Sequence, residues 1–260
     1  LDPKLATAYY NRGLAYYDRG DHDRAIADYD AAIRLDPKHV DAYNNRGNAY
    51  QAKGDHDRAI ADYDAAIGLD PEDVDAFYNR GNAYQAKGDH DRAIADYDES
   101  IRLDPEFVRA YRRRGIGHLY SGSLAKAQGD FTQASELAPK SAYEALWLDL
   151  AGRRNKIPSH LAQAATQLDM NAWPAPVIRL FLGELTPTAV FAAADDPDPK
   201  KQQGQVCEAN FYSGELALLD GSKQEAARLF RIAADDCPRD FAEWGAANAE
   251  LKALRAGEPP

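Results

Sequence analysis

Asn45-Arg46-Gly47-Asn48-Ala49-Tyr50-Gln51-Ala52-Lys53-Gly54-Asp55-His56-Asp57-Arg58-Ala59-Ile60-Ala61-Asp62-Tyr63-Asp64 recurs without change at residues 79–98. Around this stretch, prolines 3, 37, 71, 105 and 139 keep a constant interval of 34 residues. A fixed period of that length means one supersecondary unit copied several times, each copy stacking on the next. Inside the unit, Gly54-Asp55 punctuates two helical patterns, as Gly20-Asp21 and Gly88-Asp89 do in the neighbouring copies. Glycine supplies the left-handed residue that ends one helix, and aspartate accepts from the amides that open the next. The Asp-Pro pairs at 36/37, 70/71 and 104/105 stop the second helix, because proline pushes the residue before it out of the α region. Each copy is therefore predicted to be a helical hairpin.

Small and large positions interlock as close helix packing requires. Gly13, Gly47, Gly81 and Gly115 let the helices approach, and Ala25, Ala59, Ala93 and Ala127 do so on the partner helix. Aromatics fill the remaining space: Tyr9, Tyr43, Phe77 and Tyr111 in the first helix, Tyr29, Tyr63, Tyr97 and Phe131 in the second. This order of aromatic, Gly, Tyr, Ala, aromatic, Ala and Pro resembles the tetratricopeptide repeat. The resemblance covers four copies, 6–39, 40–73, 74–107 and 108–141, and implies an all-α, right-handed α-solenoid with a protein-binding role. His118 departs from Tyr16, Tyr50 and Tyr84, and Ser100 from Ala32 and Ala66, so looser packing is expected there.

A formal charge of −11 argues against nucleic-acid backbones and anionic membrane surfaces, which attract basic proteins. No apolar run approaches the roughly 20 residues that cross a bilayer. Apolar residues make up 45% of the chain, enough for a continuous core, and the glycines and prolines are spread as punctuation. Leu1-Asp2-Pro3 reads as the tail of a repeat, so the natural N-terminus is expected upstream of it.

After Pro139 the period stops, although Tyr143, Leu146, Trp147 and Leu150 form a helical stripe. Residues 142–206 read as an irregular helical insert with short helices over 161–168, 176–181 and 189–194. Thr186-Pro187 opens the last as cap and first residue, and Asp195 to Pro199 reads as a loop. The frame returns at Gly214, Gly221, Ala226, Phe230, Ala233 and Pro238, a degenerate fifth repeat over 207–240. A closing helix over 241–256, with Trp244, Leu251 and Leu254, is expected to cover its exposed face. Repeats, insert, a last repeat around Glu208-Ala209-Asn210-Phe211-Tyr212 and a closing helix together resemble the NlpI-like family of bacterial lipoproteins. That resemblance implies a periplasmic or outer-membrane-associated adaptor that docks proteases and cell-wall hydrolases, commonly as a homodimer. On the residues alone a cytoplasmic location stays open.

In a solenoid of hairpins the first helices line the inner face, the default partner surface. Tyr10, Asn11 and Tyr17 from the first copy fall there, as do Asn44, Asn45, Asn48 and Gln51 from the second and Tyr78, Asn79, Asn82 and Gln85 from the third. Asparagine can grip an extended peptide backbone through its paired donor and acceptor, and the alternative is a set of generic solvated positions. Leu14, Ile116, Leu119 and Tyr120 add apolar anchors unless the C-terminal half folds back over them. Arg109, Arg112 and Arg113 reverse the sign of an acidic chain locally. With Asn48 and Asn79 they resemble part of the carboxylate clamp of chaperone-binding tetratricopeptide domains, although Asn44 stands where those clamps carry lysine. The resemblance implies recognition of an acidic or C-terminal carboxylate group, and pairing with neighbouring Asp and Glu is the competing reading.

His22, His56 and His90 lie a full repeat apart, too far to share an ion, and read as turn residues, so no metal or other cofactor is expected. Cys207 and Cys237 open and close the fifth copy, whose antiparallel helices place those ends side by side. Both a disulfide, which fits an oxidising periplasm, and two buried thiols remain open. The chain has no Gly-x-Ser-x-Gly, no Gly-rich phosphate loop, no His-Glu-x-x-His and no Cys-x-x-Cys, so a non-enzymatic scaffold is expected. Self-assembly through stacked repeats is the alternative. Aspartates and glutamates alternating with arginine along the helices read as solvated faces.

Overall fold

The structure is a computed structural model that describes residues 3–239 and 241–256; Leu1 and Asp2, the expected repeat tail, lie outside the described residues. Among the described residues there are fifteen α-helices and no strands, and the architecture is an α-solenoid of helical hairpins. The chain divides into two compact units, one ending at Ala110 and the other starting at Tyr111.

The first unit holds three hairpins: α1 (Pro3–Asp18) with α2 (His22–Leu35), α3 (Val40–Ala52) with α4 (His56–Leu69), and α5 (Val74–Ala86) with α6 (His90–Leu103). The turns form as their residues dictate. Gly20, Gly54 and Gly88 adopt φ of 77°, 78° and 77°, and the next aspartates cap the second helices through bonds of 3.2 to 3.3 Å from Arg24, Arg58 and Arg92 N–H. Asp36, Asp70 and Asp104 end those helices in extended conformation.

Each hairpin closes on a ring seated against a glycine. A Cβ on Gly13, Gly47 or Gly81 would stand 2.7, 2.6 and 2.7 Å from the rings of Tyr29, Tyr63 and Tyr97. Beside this joint runs a charged ladder. Arg46 binds Asp62 of its own hairpin at 2.8 and 2.5 Å and Asp30 of the preceding one at 2.5 Å. Arg80 repeats this with Asp96 and Asp64, and Arg12 binds Asp28 at 2.6 and 2.7 Å. Burial raises the pKa of Asp62 and Asp96, and their arginines work against that shift. Asp28, Asp62 and Asp96 are buried, which corrects the reading of these acids as solvated. Ser100 is buried too, its hydroxyl donating to the Val74 carbonyl at 3.1 Å, so the expected loosening is absent.

In the second unit, α7 (Val108–Tyr120, shared with the first through its opening turn), α8 (Leu124–Leu137) and α9 (Ala142–Arg154) precede three short helices. These are α10 (Leu161–Ala165), α11 (Ala175–Phe181) and α12 (Pro187–Ala193), near the expected positions. The hairpin of α13 (Pro199–Leu219) and α14 (Lys223–Asp236) seats the Phe230 ring at 2.8 Å from a Cβ on Gly214, the joint of the first unit again. The helix α13 starts eight residues before Cys207, because Asp198 caps it through Lys200 N–H at 2.9 Å and Pro199 takes its first position. The expected loop is thus shorter by its proline, and Cys207 lies inside the helix. Phe131, Trp147, Phe211 and Phe230 stack in sequence at 5.7, 5.5 and 6.0 Å through the core, and α15 (Ala242–Ala256) buries Ala246, Ala247 and Leu251 against it.

Candidate functional site

Helices α1, α3 and α5 meet along one face of the first unit, where amide side chains bridge neighbours. Asn45 donates to the Tyr10 hydroxyl at 3.1 Å and to the Asp41 carbonyl at 3.0 Å. Asn79 donates to Asn44 Oδ1 at 3.0 Å, and Asn44 donates on to Asp73 at 3.4 Å. Asn11 is exposed at the edge of this row. These residues, singled out from sequence as a grip for a partner, also fasten one hairpin to the next.

Deeper in the same face, the Tyr63 hydroxyl lies 2.8 Å from Asn48 Oδ1 and 3.2 Å from Gln51 Oε1. The Tyr97 hydroxyl meets Asn82 at 2.9 Å and Gln85 at 2.7 Å. A hydroxyl carries one proton, so it donates to the carbonyl oxygen of one amide and accepts from the N–H₂ of the other. Each pair therefore keeps one N–H₂ and one carbonyl oxygen for a visitor, the complement that an extended peptide backbone needs.

Tyr78 is not an exposed anchor. It is 7% exposed, packed on Phe107 at 5.2 Å and Tyr97 at 6.0 Å, and Arg109 lies over its ring. Tyr10 and Tyr17 are half-buried, against the rings of His39 and His22 respectively. The basic run divides. Arg109, in the first unit, is exposed and reaches Asp75 at 3.4 Å. In the second unit Arg112 binds buried Glu144 at 2.9 Å, so the partner role expected of it gives way to the intramolecular pairing. Arg113 is half-buried in that unit. There, too, Ile116 and Leu119 are buried in the core cluster that also holds residues of the C-terminal helices, and Tyr120 packs against it, so none of the three is an anchor.

The sequence model of the tetratricopeptide repeat matches residues 10–74, 44–106 and 78–142, together more than half of the chain. The chain belongs to the tetratricopeptide repeat family. Tetratricopeptide repeats mediate protein–protein interaction and are generally non-catalytic. In fold the chain is similar to a tetratricopeptide repeat protein from Parabacteroides merdae, with 17% identity over 97% of this chain and 99% of that one, at a TM-score of 0.61. It is also similar to the pilF protein of Pseudomonas aeruginosa, with 18% identity over 95% and 98% and a TM-score of 0.59. MamA aligns over 70% of this chain and 97% of its own at 21% identity and a TM-score of 0.56.

Two features of this tetratricopeptide chain escape sequence reading. The Arg-Asp ladder recurs at the repeat period, in Arg12, Arg46, Arg80 and Arg114 against Asp28, Asp62, Asp96 and Asp130, and that recurrence is the signal that could have found it. In the second unit, Glu208 accepts from Trp173 Nε1 at 2.6 Å and from Tyr143 at 3.1 Å, and Tyr212 donates to Glu243 at 3.0 Å. One helical stretch on, Arg154 binds both Glu215 and Glu250, and Tyr120 donates to Glu215 at 3.3 Å. Glu208 is pushed up to about 8 by burial and then by Glu243, and Glu215 to about 7 by burial, with Arg154 opposing. No periodic signal marks these glutamates. Cys207 and Cys237 are joined, with Cα atoms 4.9 Å apart.

Proposed function

We propose that this chain is a non-catalytic adaptor that holds an extended segment of a partner protein on the face formed by α1, α3 and α5. The observation that carries the reading is the amide set Asn48, Gln51, Asn82 and Gln85, each pair anchored by one tyrosine hydroxyl and left with one donor and one acceptor. Anchored amides lose little side-chain entropy when they bind, which favours backbone recognition. Arg109 at the end of the row adds a site for an acidic or C-terminal carboxylate group in competition with Asp75. A photo-crosslinker placed at Asn11 or Asn45 in the native host is expected to capture a discrete partner, and one placed at exposed Arg58 is expected not to. Equal capture from both positions would remove this face from the account. Arg109→Ala is expected to weaken partner binding about fivefold if the bound group is a carboxylate.

The finer reading follows the NlpI-like resemblance: a bacterial periplasmic or outer-membrane-associated adaptor for proteases or cell-wall hydrolases, acting as a homodimer. The joined cysteines support an oxidising compartment. Fractionation, with thiol labelling of the denatured, unreduced protein, tests the location; two reactive thiols in protein from its native compartment would count against it. Open-ended stacking of the near-identical middle repeats is the second reading, and light scattering across a concentration series separates it from a dimer of fixed mass.

A further inference from the structure

In the second, third and fourth of the regular repeats the seated aromatic is matched to what faces it. Tyr63 and Tyr97 carry hydroxyls and face Asn48 with Gln51 and Asn82 with Gln85. Phe131 has no hydroxyl, and the corresponding positions are apolar Ile116 and Leu119. The first of these repeats departs from that pairing. Its aromatic is Tyr29, yet the corresponding positions are Leu14 and Tyr17. The Tyr29 side chain is fully buried, and its hydroxyl has no hydrogen-bond partner.

An unmatched hydroxyl in such a place is destabilising and demands an explanation. The ring sits over Gly13 just as Tyr63 sits over Gly47, so the hydroxyl points at residues 14 and 17 of α1, along the partner face. Tyr10, Leu14 and Tyr17 around it are half-buried, the apolar end of a row that is otherwise amide-lined. Burial raises the Tyr29 phenol, which keeps it a donor at physiological pH.

We infer that the first hairpin holds a specificity subsite in which Tyr10, Leu14 and Tyr17 receive one large apolar side chain of an extended partner peptide, while Tyr29 donates its hydroxyl to a carbonyl of that peptide. A side-chain shift of Leu14 or Tyr17 opens the way to the hydroxyl. The subsite rests on the reading of this face as a peptide surface and adds a sequence preference to it. The amides of α3 and α5 hold backbone, which every peptide has, whereas the first hairpin selects.

The test is selection from a phage-displayed random peptide library on the full chain. It is run alongside Tyr29→Phe and a Leu14→Asn/Tyr17→Gln variant that copies the second repeat. The wild-type chain is expected to enrich peptides with one fixed aliphatic or aromatic position. A synthetic enriched peptide is expected to bind Tyr29→Phe about fivefold more weakly, and the double variant at least about tenfold more weakly. Both variants are expected to melt no lower than the wild type, since one removes the unmatched hydroxyl and the other satisfies it. Enriched peptides that bind all three proteins equally would overturn the subsite and leave the peptide-binding face standing. No enrichment on any of the three would overturn the face itself, and the subsite with it.

Discussion

A methyl group on Gly81 would stand 2.7 Å from the Tyr97 ring, nearer than carbon atoms approach, and the ring is fully buried with its hydroxyl held by Asn82 and Gln85. The hairpin can yield only by parting its helices. Gly81→Ala is therefore expected to destabilise the protein by about 1 to 3 kcal/mol, measured by urea unfolding. Gly129, inside α8, has nothing within 4 Å of the same added atom. There alanine only narrows the unfolded ensemble, so Gly129→Ala is expected to stabilise by about 0.5 to 1 kcal/mol. Opposite signs for one chemical change would tie the repeat glycine to packing and not to helix propensity. The Arg-Asp ladder gives a second residue-scale expectation. Asp62→Ala leaves Arg46 largely buried with only Asp30 to hold it, and is expected to cost about 2 kcal/mol in the same measurement.

Helix by helix, the regular hairpins were legible because their punctuation is local: Gly54 and Asp55 act through their own backbone and side chain, whatever packs nearby. The short helix α12 was legible for the same reason, since Thr186 and Pro187 mark its start. Asp198 and Pro199 carry that same signal, yet the run of acids and prolines around them reads as a loop, which masks the true start of α13. The site was legible only as a row of residue types. Which amides bridge helices, and that Tyr78 and Arg112 are committed to their own chain, depends on partners 12 to 35 residues away in sequence, which local pattern does not encode. The α13–α14 hairpin carries its own test. Its disulfide closes a separation of 30 residues, and in the chain-entropy picture such a loop stabilises by about 3 to 4 kcal/mol. The paired Cys207→Ser and Cys237→Ser variant is expected to unfold earlier in urea by that amount. Equal stability of the oxidised and variant proteins would mean that the bond restrains little.

Across the molecule, an acidic chain buries carboxylates in its C-terminal unit in two sets joined to the same helices. Glu208 and Glu215 lie two turns apart on α13, and Glu243 and Glu250 lie two turns apart on α15, so the cap helix docks acid against acid. Arg112 with Glu144, and Arg154, supply the opposing charge; Tyr143, Tyr212, Trp173 and Tyr120 supply the donors. One cation against two or more carboxylates is satisfied only if protons make up the difference. In the fold Glu208 rises from 4.5 to about 8 and Glu215 from 4.5 to about 7, so between those limits the folded chain holds protons that the unfolded chain has released. Stability from these groups is therefore full below pH 4.5 and falls as the pH rises through 7 and 8, with a slope approaching about 1.4 kcal/mol per pH unit for each retained proton. Exposed pairs such as Asp89 with Arg92, whose carboxyl lies below the usual carboxylate range, titrate outside that window and do not mask it. The melting temperature is expected to be higher at pH 5.5 than at pH 8.5, and Glu208→Gln combined with Glu215→Gln to flatten the difference. If the two pH values give the same melting temperature, both carboxylates are ionised in the folded chain, and α15 is held against them by the arginines and by neutral donors such as Tyr212.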